Sequence, residues 1–127
     1  MFSGERFKNK DFTVDVMEFA SYDEWWDSVH EMRVKVEDFV KEWHKVKADA
    51  EVCIVTKRRC SLIRTKVVNY IIYAKDLLLD VDNLITKGSE LKEMRENYEH
   101  LMWRLSQMKD SLLNVVSEAQ RLIEKMQ

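Results

Sequence analysis

The stretch from Ser89 to Gln127 constrains this chain more than any other. Leu91, Met94, Tyr98, Leu101, Leu105, Met108, Leu112, Val115, Ala119, Leu122 and Met126 alternate at spacings of three and four without a slip. An apolar seam with that period marks a helix covered along one side by other helices. At about 1.5 Å per residue it would be roughly 57 Å long, so only long helices lying beside it can cover it.

The rest of the chain supplies them. Trp25, Val29, Met32, Val36, Phe39, Trp43 and Val46 repeat the spacing, and Ser21-Tyr22-Asp23-Glu24 forms a capping box ahead of them, so a first helix is predicted over 21–48. Ile63, Val67, Tyr70, Ala74, Leu77, Val81 and Leu84 carry another seam. Leu62, Ile71, Leu78 and Ile85 form a second stripe beside it, as expected of a helix with a neighbour on each side. Two sites compete for the turn before this helix: Lys47 to Glu51 with Asp49 as the cap, and Lys57 to Ser61 with Ser61 as the cap. Matching the length of the third helix favours the first site and places the second helix over 50–87. Gly88 then reads as its left-handed C′ residue and Ser89 as the cap of a third helix over 89–127, joined by a tight hairpin.

Pro is absent and only Gly4 and Gly88 interrupt the backbone chemistry, so long helices meet no built-in stop. The expected fold is all-α: an elongated antiparallel three-helix bundle over 21–127, packed as a left-handed coiled coil. Residues 1–20 precede it. Phe12 to Phe19 fits a short helix and an extended segment equally well, and its aromatics are expected to pack on the bundle or to continue a helix from a neighbouring module.

A net charge of −2 argues against a dedicated nucleic-acid binder, which needs a basic excess to displace counterions. The longest apolar patch, Val67 to Leu79, is broken by Asn69, Lys75 and Asp76, so no transmembrane segment is expected, and no apolar run after Met1 suggests secretion. Cys53 and Cys60 are seven apart, two turns from each other on one helix and beyond disulfide reach; they read as reduced thiols of an intracellular, cytoplasmic protein.

No catalytic constellation is legible. His30, His44 and His100 stand at unrelated positions, and Asp27 with His30, or Glu96 with His100, reads as a surface pair. No phosphate loop, nucleophile elbow or zinc spacing can be placed, so no enzyme activity, cofactor or metal is expected. One cluster invites a function. Lys57, Arg58, Arg59, Arg64 and Lys66 would form a basic ridge on the second helix, a dock for an acidic partner: phosphoinositide headgroups at a membrane surface or an actin-like filament. The competing reading is a solvated face paired with acids on the neighbouring helices. Trp103, with Arg104 and Lys109 nearby, is a second candidate partner surface, unless it packs against the N-terminal segment.

The tryptophan pair Trp25-Trp26 at the start of the first helix, and the passage from Leu84-Ile85 into Ser89-Glu90-Leu91 and on to Tyr98-Glu99-His100-Leu101, resemble the spectrin repeat of spectrin, dystrophin, plakin and nesprin-type proteins. The likeness covers Ser21 to Gln127. The tryptophan that family carries in its third helix would fall at Tyr98 or Met102, whereas this chain has Trp103. The resemblance implies a structural or scaffold module: a spacer and protein-docking surface in a cytoskeletal, nuclear-envelope or anchoring protein. The other expectation is a small adaptor or viral helical bundle that forms homo-oligomers or binds nucleic acid.

Overall fold

The computed structural model of the chain describes residues 10–91 and 97–126, with side chains from Tyr22 onward. Three helices make up this part: α1 (Lys10–Thr56), α2 (Cys60–Leu91) and α3 (Tyr98–Lys125), each packed against the other two, with no strand among the described residues. Most of the sequence positions named as seams face inward; in α2, Ile63, Tyr70 and Leu84 are half-buried and Leu62 of the second stripe points to solvent, while Met94 lies outside the described residues. Trp25, Val29, Met32, Val36, Phe39, Trp43 and Val46 of α1, Val67, Ala74, Leu77 and Val81 of α2, and Leu101, Leu105, Met108, Leu112, Val115, Ala119 and Leu122 of α3 form one continuous buried core. Burying each large aliphatic or aromatic group is worth about 1.5–3 kcal/mol, so the long core is what holds the helices together.

Cross-helix contacts fix an up-down-up course. At one end the Trp25 indole N–H donates to the Leu84 carbonyl at 2.8 Å, and its ring lies 5.7 Å from that of Tyr98. Further along, Phe39 and Trp43 pack on Tyr70 at 5.3 and 6.0 Å, and Trp43 reaches Glu118 of α3.

The helix limits differ from those expected. The chain reverses at residues 57–59, not at Asp49, so the first helix ends at Thr56 instead of 48 and the second begins at Cys60 instead of 50. Ala50 and Cys53 are both buried and continue the seam beyond Val46, and a turn at Asp49 would have cut that burial short. Val52, Ile54, Val55 and Thr56 form a β-branched run of weak helix propensity in the last turns of α1, but Val52 and Val55 point to solvent, where crowding inside the bundle does not arise. The reversal is made by non-glycine residues: Lys57 (φ 60°) and Arg59 (φ 58°) both adopt the left-handed conformation. Lys57 N–H closes α1 on the Cys53 carbonyl at 2.6 Å, and Ile63 N–H opens α2 on the Arg59 carbonyl at 3.1 Å.

Ser21 does not start a helix, because α1 already runs through it from Lys10. A cap is worth about 1 kcal/mol, and an upstream turn that supplies backbone partners makes it dispensable. The helical alternative for Phe12 to Phe19 is the one the backbone takes, while the packing expected of those side chains lies outside the described residues. Gly88 does not terminate α2 either. It lies inside the helix, which runs on to Leu91, and α3 begins at Tyr98 instead of 89 with Asn97 as its N-cap; residues 92–96, on which much of the expected hairpin falls, lie outside the description. Gly88 is small for a different reason. A Cβ there would sit 2.6 Å from the Trp25 ring and 2.6 Å from Met102 Sδ, so its bareness makes room for the indole. The Tyr98 hydroxyl donates to the Gly88 carbonyl at 2.8 Å, drawing all three helices to this point.

Candidate functional site

The turn between α1 and α2 carries the charge cluster. From Val52 to Lys75 the sequence holds six basic residues (Lys57, Arg58, Arg59, Arg64, Lys66 and Lys75) and no acid. The whole chain has 21 basic and 23 acidic residues, so elsewhere 15 basic stand against 23 acidic. Charge is segregated toward one end.

The cations do not form the single ridge expected of one helix. Lys57, Arg58 and Arg59 sit in the turn, off α2 altogether, while Arg64 and Lys66 lie in its first two turns. Arg58, Arg59 and Lys66 line an open cleft of about 580 Å³ between α1 and α2, whose other walls are Val52, Cys53, Thr56, Leu62 and Ile63, with Asp49 its one acid. Lys57 and Arg64 are outside the cleft. At about 100° per residue, Arg64 lies roughly 160° around α2 from Lys66. All five cations are exposed. The pairing with acids of neighbouring helices that would make this a neutralised face is not formed: the ion pairs among the described residues are Arg33–Glu37, Lys47–Glu118 and Lys109–Asp82.

Aliphatic side chains that the sequence reading gave no functional weight lie among these cations. Val55 is 82% exposed, Val52 59% and Leu62 58%. Once the seam is traced through Val46, Ala50 and Cys53, Val55 falls off it, which is the signal that marks it as outward-facing.

The two cysteines are not two turns apart on one helix. They flank the reversal, and the Cys60 thiol donates to the Cys53 carbonyl at 3.0 Å. Both are free. Burial, and after it the neighbouring Cys60, pushes the Cys53 thiol from an ordinary 9.0 up to about 11. It is therefore a protonated, unreactive thiol at neutral pH.

Trp103 belongs to a different place. It is 57% exposed, stacks on His100 at 5.9 Å, and borders a cleft of about 230 Å³ between α1 and α3 with Arg33, Glu37 and Arg104. At 1.5 Å per residue it is about 30 Å from the basic end. Its expected neighbour Lys109 is taken up by Asp82 at 3.0 Å, and Arg104 donates from Nε to His100 Nε2 at 3.2 Å. A third cleft of about 700 Å³, between the N-terminal half of α1 and the C-terminal half of α2, is bordered by Glu24, Asp27, Glu31 and Asp80.

Among the described residues no three His, Cys, Asp or Glu side chains gather as a metal site would require, and no helix is long and apolar enough to cross a membrane. Compared with protein-family models, with curated proteins and with solved structures, the chain matches none.

Proposed function

We propose that this chain is a non-enzymatic helical module that serves as a spacer and docks through its α1–α2 end onto an acidic surface. The observation that carries this reading is the set of five exposed cations, Lys57, Arg58, Arg59, Arg64 and Lys66, without ion-pair partners among the described residues and beside exposed Val52, Val55 and Leu62. Unpaired charges at the end of a rigid bundle add little to folding, whereas they steer encounter with an oppositely charged partner. The spacer role is the one a spectrin-type repeat would have, and a place in a cytoskeletal or anchoring protein belongs to the same proposal.

Heparin, a generic polyanion, tests the docking half. The full chain should be retained and released by salt, and Arg58→Glu/Arg59→Glu should pass through with its melting temperature nearly unchanged. Equal retention of the two proteins, or retention of neither, sinks the reading. A second reading, self-association, is favoured by the acidic cleft at the opposite end. Light scattering that shows a dimer or larger species at low salt and a monomer at high salt would support it.

A further inference from the structure

We infer that the surface this end docks on is an anionic lipid bilayer, contacted tip first, with the cations in the headgroup layer and Val52, Val55 and Leu62 pressed into its outer edge. This rests on the docking reading above and narrows it to one partner.

The narrowing comes from what surrounds the cations. A dissolved polyanion satisfies charge but leaves aliphatic groups in water. Single-stranded nucleic acid is held by aromatic platforms, and no Phe, Trp or Tyr occurs between Trp43 and Tyr70. An anionic bilayer offers both halves at once: phosphate and carboxylate groups at the surface, and methylene groups a few ångströms beneath. The cleft repeats this division, with Arg58, Arg59 and Lys66 against Val52, Leu62 and Ile63, as a phospholipid headgroup joined to its glycerol and upper chains would require.

Charge segregation sets the pose. With acidic residues in excess over the rest of the chain, laying the bundle flat would bring that excess against lipid of the same sign. Standing on the 57–59 turn keeps it away. Val55, the most exposed of the three aliphatic groups, lies in the last turn of α1 next to that reversal. Three small aliphatic groups reach only the interface, so contact is shallow, reversible and salt-sensitive.

The test is co-sedimentation of the full chain with phosphatidylcholine vesicles and with vesicles that also contain about 30 mol% phosphatidylserine, an anionic content high enough for basic clusters to bind. Wild type should partition at least about tenfold more onto the anionic vesicles, and Arg58→Glu/Arg59→Glu should lose that preference. Val55→Asp should weaken binding by about tenfold while helicity stays the same, and Val34→Asp, at a half-exposed valine on the shaft of α1, should leave it unchanged. Retention on heparin without vesicle binding overturns the bilayer inference and spares the docking reading; failure on both overturns both. Capture of an RNA oligonucleotide in place of vesicles, or Val55→Asp binding like wild type, also overturns the inference.

Discussion

Trp43 and Glu118 are joined side chain to side chain across the α1–α3 interface: the buried indole N–H donates to one carboxylate oxygen at 3.0 Å, and Lys47 takes the other at 3.0 Å. Burial alone would raise the Glu118 carboxyl. The hydrogen bonds from Trp43 and Lys47, with the charges of Lys47 and His44, outweigh it and hold the group below its ordinary 4.5.

Glu118→Ala should therefore cost about 1–3 kcal/mol, read from the shift in urea midpoint, because it strands a buried indole N–H. Glu118→Gln keeps an acceptor for Trp43 and should cost less. The folded carboxyl sits lower than the unfolded one, so its contribution is complete above about pH 4.5 and fades as pH falls through the folded value. The acid side of the stability curve should be shallower in Glu118→Gln than in wild type.

Ala is a better helix former than Gly by about 1 kcal/mol, so an ordinary mid-helix glycine gains stability on replacement. Gly88→Ala should do the opposite, lowering stability by about 1–3 kcal/mol, because the Trp25 ring occupies the space and is stiffer than the Met102 side chain. Trp25→Leu should abolish this penalty in the double variant. Thermal melts of the four proteins form a complete cycle.

Lys57 and Arg59 hold left-handed backbone angles, which cost a side-chain-bearing residue about 1–2 kcal/mol and glycine almost nothing. After the extra freedom glycine gives the unfolded chain, Lys57→Gly and Arg59→Gly should each stabilise by roughly 0.5–1 kcal/mol. Asp49→Gly, inside α1, should destabilise by roughly 0.3–0.5 kcal/mol. The reverse ranking in chemical denaturation would place the reversal at the other site.

Cys53 and Cys60 should differ in alkylation. Iodoacetamide near pH 8 should label half-buried Cys60 and spare Cys53, whose labelling should rise only as pH approaches 11. Because the folded thiol holds its proton longer than the unfolded one, this site should also erode stability between pH 9.0 and about 11. Peptide mapping after timed alkylation reads the first effect, and denaturation at alkaline pH the second.

The core was legible because heptad spacing is a direct record of which side of a helix is covered. Each seam residue named for α1 is buried, as are those named for α3 from Leu101 to Leu122. The reversal was legible only as the second of two competing sites, Lys57 to Ser61, since Lys and Arg in left-handed geometry leave none of the glycine or asparagine signals by which turns are found. Matching the second helix to the third proved a poor guide, because the two are close in length, 32 and 28 residues, with the chain reversing at the later site. Gly88 misled for a related reason, because a glycine marks either a backbone bend or a close approach, and only the position of Trp25 decides between them. The basic residues were legible as a cluster. Their division between turn and helix, and the valines among them, depended on where the chain reversed.

Helices joined by seven-residue repeats face an ambiguity, since sliding one past another by a full repeat returns large side chains to large side chains. The Trp25–Gly88 fit removes it. A slide of α2 by one repeat would offer Val81 to the indole, and an isopropyl group cannot enter the space that now holds an aromatic ring. One missing side chain thus acts as a notch that admits a single alignment of α1 and α2, and it fixes how far the 57–59 turn projects.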